Sequence, residues 1–276
     1  MNKLHRFIIE ASRAAILLLA GILPSSSVQG STVLPRIRTE LAPTGKLRVA
    51  INFGNPVLAQ KDPITGEPRG VSADLAKELG RRLGVHVDFI TFDAAGKVFD
   101  ALKEGVWDIA FLAIDPARAA EITFTAPYVV IEGTYLVPED SLLGTIEDVD
   151  RDGVRVAVAN KSAYDLYLTR TLKHAQLVRR STSDEAIDVF LKDKLEVLAG
   201  VKQPLLQFVK THPGLRLMEG RFMAIEQAMG TPRGREAGAR YLYEFVEEMK
   251  ASGFVSRGLE RSGQGDAMVA PRAPVQ

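Results

Sequence analysis

One basic residue, Arg118, stands inside the run Ala113–Val130 (AIDPARAAEITFTAPYVV), between two apolar stretches. The residues before it, Trp107-Asp108-Ile109-Ala110-Phe111-Leu112, have the character of a buried strand. Asp115-Pro116 then marks a helix start, because Asp is a favoured N-cap and Pro is tolerated at the first helical position. Arg118 therefore falls in the first turn of a short helix, where the helix end already carries partial positive charge. Two roles fit it. One is a surface ion pair with Glu121, three residues on, worth about a few tenths of a kcal/mol. The other is an anion grip. Ligands of α/β sheets bind beyond the carboxyl ends of strands, backbone N–H groups at a helix start favour anions, and a guanidinium holds a carboxylate through two parallel hydrogen bonds. The residues alone leave both open.

Other chemistry is thin. His5, His86, His174 and His212 are scattered without metal-ligand spacing, so no metal or cofactor is expected. There is no glycine-rich phosphate loop, no serine nucleophile elbow and no His-Glu helix motif. Glu247-Glu248 fall on the polar face of a helical pattern, where solvation is the simplest fate. The net charge of +1 over 276 residues leaves no electrostatic footprint for nucleic acid. No apolar run reaches the roughly 18 residues that would span a bilayer. With no cysteine, the chain has no disulfide and must be held by its core.

The elements that would position Arg118 follow from hydrophobic periodicity. Residues 1–30 have a basic start (Lys3, Arg6, Arg13), an apolar core (Ala14–Leu23) and a polar end (Pro24–Gly30). That is the pattern of a cleavable export signal, and it predicts a periplasmic protein. Residues 31–45, with two prolines, are expected to be a leader. Strands are expected at Lys46–Phe53, His86–Phe92 and Trp107–Ala113. A helix capped by Ser72 carries Leu75, Leu79 and Leu83 on one face, and a short helix spans Lys97–Glu104. Tyr128–Pro138 is one long extended run. A second series then starts: strands at Val154–Asn160, Gln176–Arg180, Leu195–Val201 and Leu215–Met218, helices at Ser162–Leu172, after the Thr182/Glu185 capping box, and at Gln203–Lys210. Glu226–Gly230 is a second extended run, and a late helix carries Leu242, Phe245, Val246 and Met249. Repeated strand–helix alternation predicts an α/β fold of two lobes, joined by two crossing strands and closed by the late helix. The last stretch is Gly/Pro/Ala-rich and is expected to be a loose tail.

Three stretches, GVSADLAKELGRRLG (Gly70–Gly84), DALKEGVWDIAF (Asp100–Phe111) and DPARAAEITFTAPY (Asp115–Tyr128), resemble the first lobe of family 3 extracellular solute-binding proteins, the periplasmic receptors of polar amino-acid ABC transporters. The resemblance runs from about Lys46 to Gly263. It implies a type II periplasmic-binding-protein fold, with lobe 1 at 46–133 plus 226–262, lobe 2 at 134–225 and a tail at 263–276. It also implies hinge closure over a small carboxylate-bearing solute and delivery to a membrane permease. In that family the arginine matching Arg118 holds the ligand's carboxylate. Phe111 and Ala113 stand where many members have small hydroxylated residues, and Lys161-Ser162 where they usually have Gly-Thr. Val201, followed by Lys202, stands where the family usually has the acid that meets the ligand's ammonium. Asn52 and Phe53, which end the first strand, and Gln227, in the second crossover, are further candidates. Lys97, Lys161 and Lys202 are placed near the cleft mouth. These departures point to a ligand richer in negative charge than a neutral amino acid, or one without an ammonium. Enzymes of the same fold act on small carboxylic acids, but no catalysis is expected here, since the sequence offers no general acid or base better than Glu226.

Overall fold

The computed structural model describes residues 35–274. The expected export signal and the first residues of the leader lie outside them. In chain order the first half contains α1 (Pro35–Leu41), β1 (Lys46–Asn52), the hairpin strands β2 (Gln60–Lys61) and β3 (Pro68–Arg69), α2 (Val71–Leu83), β4 (His86–Phe92), α3 (Ala95–Asp100), β5 (Ile109–Ala113), α4 (Pro116–Ala119), β6 (Ile122–Phe124) and β7 (Val129–Pro138). The second half contains β8 (Arg155–Ala159), α5 (Ala163–Thr171), β9 (Gln176–Arg180), α6 (Ser183–Lys192), β10 (Val197–Val201), α7 (Lys202–Thr211) and β11 (Leu215–Leu217). It closes with β12 (Met223–Pro232), α8 (Glu236–Ala251), α9 (Phe254–Arg261) and β13 (Met268–Val269).

Eleven strands form one curled sheet, ordered β4-β1-β5-β12-β7-β10-β8-β9 along its spine. Each end is parallel: β1 pairs with β4 and β5, and β8 pairs with β9 and β10. Between them, β12 and β7 run antiparallel to each other and to their outer neighbours. The two long extended runs of the sequence are thus the two strands that cross between two α/β lobes.

The core follows the sequence pattern. Every residue of β5 is buried, as expected of a central parallel strand covered on both faces. Leu75, Leu79 and Leu83 of α2 are buried together. Trp107 and Val98 centre an apolar cluster at the outer side of β1 and β5, and the Trp107 indole donates to the Val98 carbonyl at 3.0 Å. Phe190, Val189 and Leu205 centre its counterpart around β8 and β10.

Four local expectations change. Ser72 does not cap α2; Gly70 holds that position, and Ser72 lies inside the helix with its Oγ 2.9 Å from the Tyr128 hydroxyl. The leader contains α1, whose Leu41 is fully buried against α8. Gly238 permits this approach, because a Cβ there would lie 2.6 Å from Leu41 Cδ2. The tail is not loose: β13 pairs with β7, and Ala267 and Ala270 are buried. A short strand with only two small anchors has no periodicity to show in sequence. Finally, Glu248 is not merely solvated but pairs with Arg82 of α2.

Candidate ligand-binding cleft

A fully buried charged side chain, Arg118, follows the carboxyl end of β5 in the first turn of α4. Asp115 caps α4, its Oδ1 accepting from the Ala117 N–H at 2.9 Å, and this fixes the first turn that carries Arg118. Arg118 is 0% exposed. Its Nη1 donates to the Ala113 carbonyl at 3.0 Å and its Nη2 to the Lys161 carbonyl at 2.8 Å, while Nε has no partner. The ion pair with Glu121 does not form; that alternative needed an exposed arginine. Burial pulls the guanidinium down to about 10, with Asp115 opposing the shift, so it is charged at neutral pH.

Arg118 lines a partly enclosed cavity of about 50 Å³, framed by the carboxyl ends of β1, β5, β8 and β10. Beside Arg118, the polar lining comes from Asn52, Asn55, Ser72, Asn160, Ser162, Tyr164, Ser183 and Gln227. Phe111, Ala113 and Val201 supply apolar wall. Phe111 packs edge-on against Tyr128, with ring centroids 5.8 Å apart. Register explains why Gln227 reaches the cavity: on β12 it pairs with Ala113 of β5 on one side and Val129 of β7 on the other.

The two lobes meet around this cavity. Besides the Arg118 contact to Lys161, Arg170 of α5 donates to Asp115 at 2.8 Å, and Lys161 Nζ reaches Asp100 at 2.6 Å. The backbones nearly touch at Gly96 in α3, where a Cβ would lie 2.7 Å from the Asn160 carbonyl oxygen. Ser162 caps α5 by accepting from the Asp165 N–H at 3.1 Å. Among the described residues, no group of three His, Asp or Glu side chains is placed to hold a metal ion, and no helix is long and apolar enough to cross a membrane.

Residues 47–262 match the family described as bacterial extracellular solute-binding proteins, family 3. The chain belongs to that family. Among curated proteins, this family member is 22% identical over 217 residues to the glutamine-binding protein of Geobacillus stearothermophilus, covering 77% of this chain and 81% of that one. Among solved structures, a mutant of ArgBP from T. maritima superposes with a TM-score of 0.70 at 21% identity, covering 82% of this chain and 99% of that chain. An ancestral amino acid-binding protein, a precursor of cyclohexadienyl dehydratase, gives 0.68 at 22% identity, with 81% and 97% covered. These likenesses establish the fold as that of the type II periplasmic binding proteins.

Within this family member, the sequence candidates separate into two groups. Arg118, Ala113, Phe111, Ser162, Asn52, Val201 and Gln227 line one cavity. Four others do not. Phe53 is half-buried against the core of the first lobe. The Lys97 ammonium turns to Asp93, and that of Lys161 to Asp100, so only the Lys161 carbonyl faces Arg118. Lys202 pairs with Glu132 on the crossover strand. An ammonium beside a surface carboxylate keeps its hydration, which a cleft position would strip. Glu226 is exposed and outside the cavity lining. Sequence reasoning missed Asn55, Asn160, Tyr164 and Ser183. Asn160 was within reach, because it follows β8 as Asn52 ends β1.

Proposed function

We propose that this family member is the periplasmic receptor of an ABC importer, capturing an amino acid or related small carboxylate by hinge closure. Residues 46–133 with 226–262 form one lobe and 134–225 the other, and residues 1–30 direct export. The observation that carries the reading is Arg118, a guanidinium buried at 0% exposure in the cavity with its Nε left without a partner. A buried arginine without a carboxylate partner is costly, and an arriving carboxylate removes that cost. Ligand binding thereby favours the closed state, which is the form a permease would recognise. The amino acids named for similar proteins support a ligand of this class.

The same fold can host catalysis. Here the cavity lining holds Arg118 and Tyr164 as its only ionisable side chains among the described residues, and burial pushes the Tyr164 phenol up, away from general-acid use. With no carboxylate or imidazole facing the ligand, binding without turnover is the favoured role. Incubating the protein with each acid that binds, and following the acid by NMR, tests this. Saturable binding with the acid unchanged supports the receptor. Steady conversion by the purified protein overturns it.

A further inference from the structure

The cleft's charge narrows its ligand further, and this step rests on the receptor reading above. Among the described residues no Asp or Glu lines the cavity, and four acidic side chains around it are each held by a base. Asp115 is paired with Arg170, Asp165 with Arg179, Asp100 with Lys161 and Asp93 with Lys97. Such pairs leave no net charge to offer a ligand. Among the described residues Arg118 is the single charged side chain in the lining, and its two Nη groups rest on neutral carbonyls. The closed cleft therefore carries one uncompensated positive charge.

A monocarboxylate cancels that charge. A zwitterionic amino acid does not: it leaves the cleft as positive as before and adds an ammonium with no anionic partner, which is expensive in a low-dielectric site. A dicarboxylate overshoots. The remaining polar groups are neutral. Asn55 Oδ1 is buried without a hydrogen-bond partner, and the buried Gln227 belongs to the same lining. Carboxamides both donate and accept, so they suit hydroxyl, carbonyl or amide groups on a ligand. We propose that the cleft selects a small monocarboxylate bearing neutral polar substituents, of the hydroxy-acid kind, over the amino acid of the same skeleton. Val201, the apolar residue ending β10, is the specificity determinant, because it withholds the anion that an ammonium would need.

Calorimetric titration of the purified protein with glycolate, L-lactate and glycerate, against glycine, L-alanine and L-serine, tests this. The hydroxy acid of each binding pair is expected to bind about tenfold or more tightly, a difference of about 1.4 kcal/mol. Val201→Asp is expected to reverse the order. Tighter binding of the amino acids by the wild-type protein overturns the proposal while leaving the receptor reading intact. A folded Val201→Asp protein with unchanged preference overturns the role of Val201. If neither series, nor a wider panel of carboxylates, binds a sample that melts cooperatively, the receptor reading itself fails.

Discussion

Lys161 holds a left-handed backbone, φ +54°, at the lobe junction. That conformation costs a residue with a Cβ roughly 1–2 kcal/mol, a penalty glycine does not carry. What Lys161 gives the cleft is its carbonyl, which glycine would keep. Its side chain gives an exposed pair with Asp100, worth at most about 1 kcal/mol. Lys161→Gly is therefore expected to be neutral or to stabilise the protein by up to about 1 kcal/mol in urea unfolding. A loss beyond about 1 kcal/mol would mean that the Asp100 pair holds the junction more strongly than exposed pairs do. At this scale sequence reading worked unevenly. Arg118 was legible because a strand end, an Asp-Pro cap and a misplaced cation coincide within a few residues. Lys161 was placed correctly in the chain but assigned the wrong atom, since neither a backbone dihedral nor the direction of a long side chain is written in residue type.

Elements carry the closing contact and the acid sensitivity. Gly96 lies in the first turn of α3 against the loop after β8, and closure leaves no room for a larger side chain there. Gly96→Val should lower affinity for the ligand by about tenfold or more, because the closed form would be reached less often. Its unfolding free energy without ligand should change little. Equal affinity in wild type and variant would show that binding does not require this approach. On the other side of the lobe, Glu78 of α2 is held between Arg81 and Arg82, with Arg82 reaching Glu248 of α8. Hydrogen bonds from Arg81, then from Arg82, hold the Glu78 carboxyl at about 2, below its ordinary 4.5. A carboxyl lowered by folding contributes stability that is present above 4.5 and is lost as the pH falls toward 2. Thermal midpoints should drop across that window, and Glu78→Gln should flatten part of the drop. An unaltered slope in the variant would remove Glu78 from the acid response. The βα series was legible in sequence because each element repeats its apolar period several times. The helix α1 and the strand β13 were not, since each is short and owes its place to a tertiary partner, Leu41 under Gly238 and Met268–Val269 on β7.

For the whole molecule, two parallel half-sheets meet through β7 and β12, so opening and closing can turn on two strands while both cores stay packed. This architecture was legible because the two long extended runs interrupt the strand–helix alternation at two points. The shape of the cavity was not, because its walls come from stretches far apart in the chain, from Asn52 to Gln227, and only closure brings them together. The central claim is that Arg118 holds a ligand's carboxylate inside this closed cleft. The measurement that tests it most directly is thermal unfolding of the wild type and of Arg118→Ala, side by side, against a panel of amino acids and organic acids. A carboxylate at about a hundred times its Kd should stabilise the wild type by about 2.7 kcal/mol, a rise of about 5 °C or more for a protein of this size. The variant should melt cooperatively and show no rise with the same acid. An equal rise in both proteins would place the carboxylate elsewhere and contradict the claim.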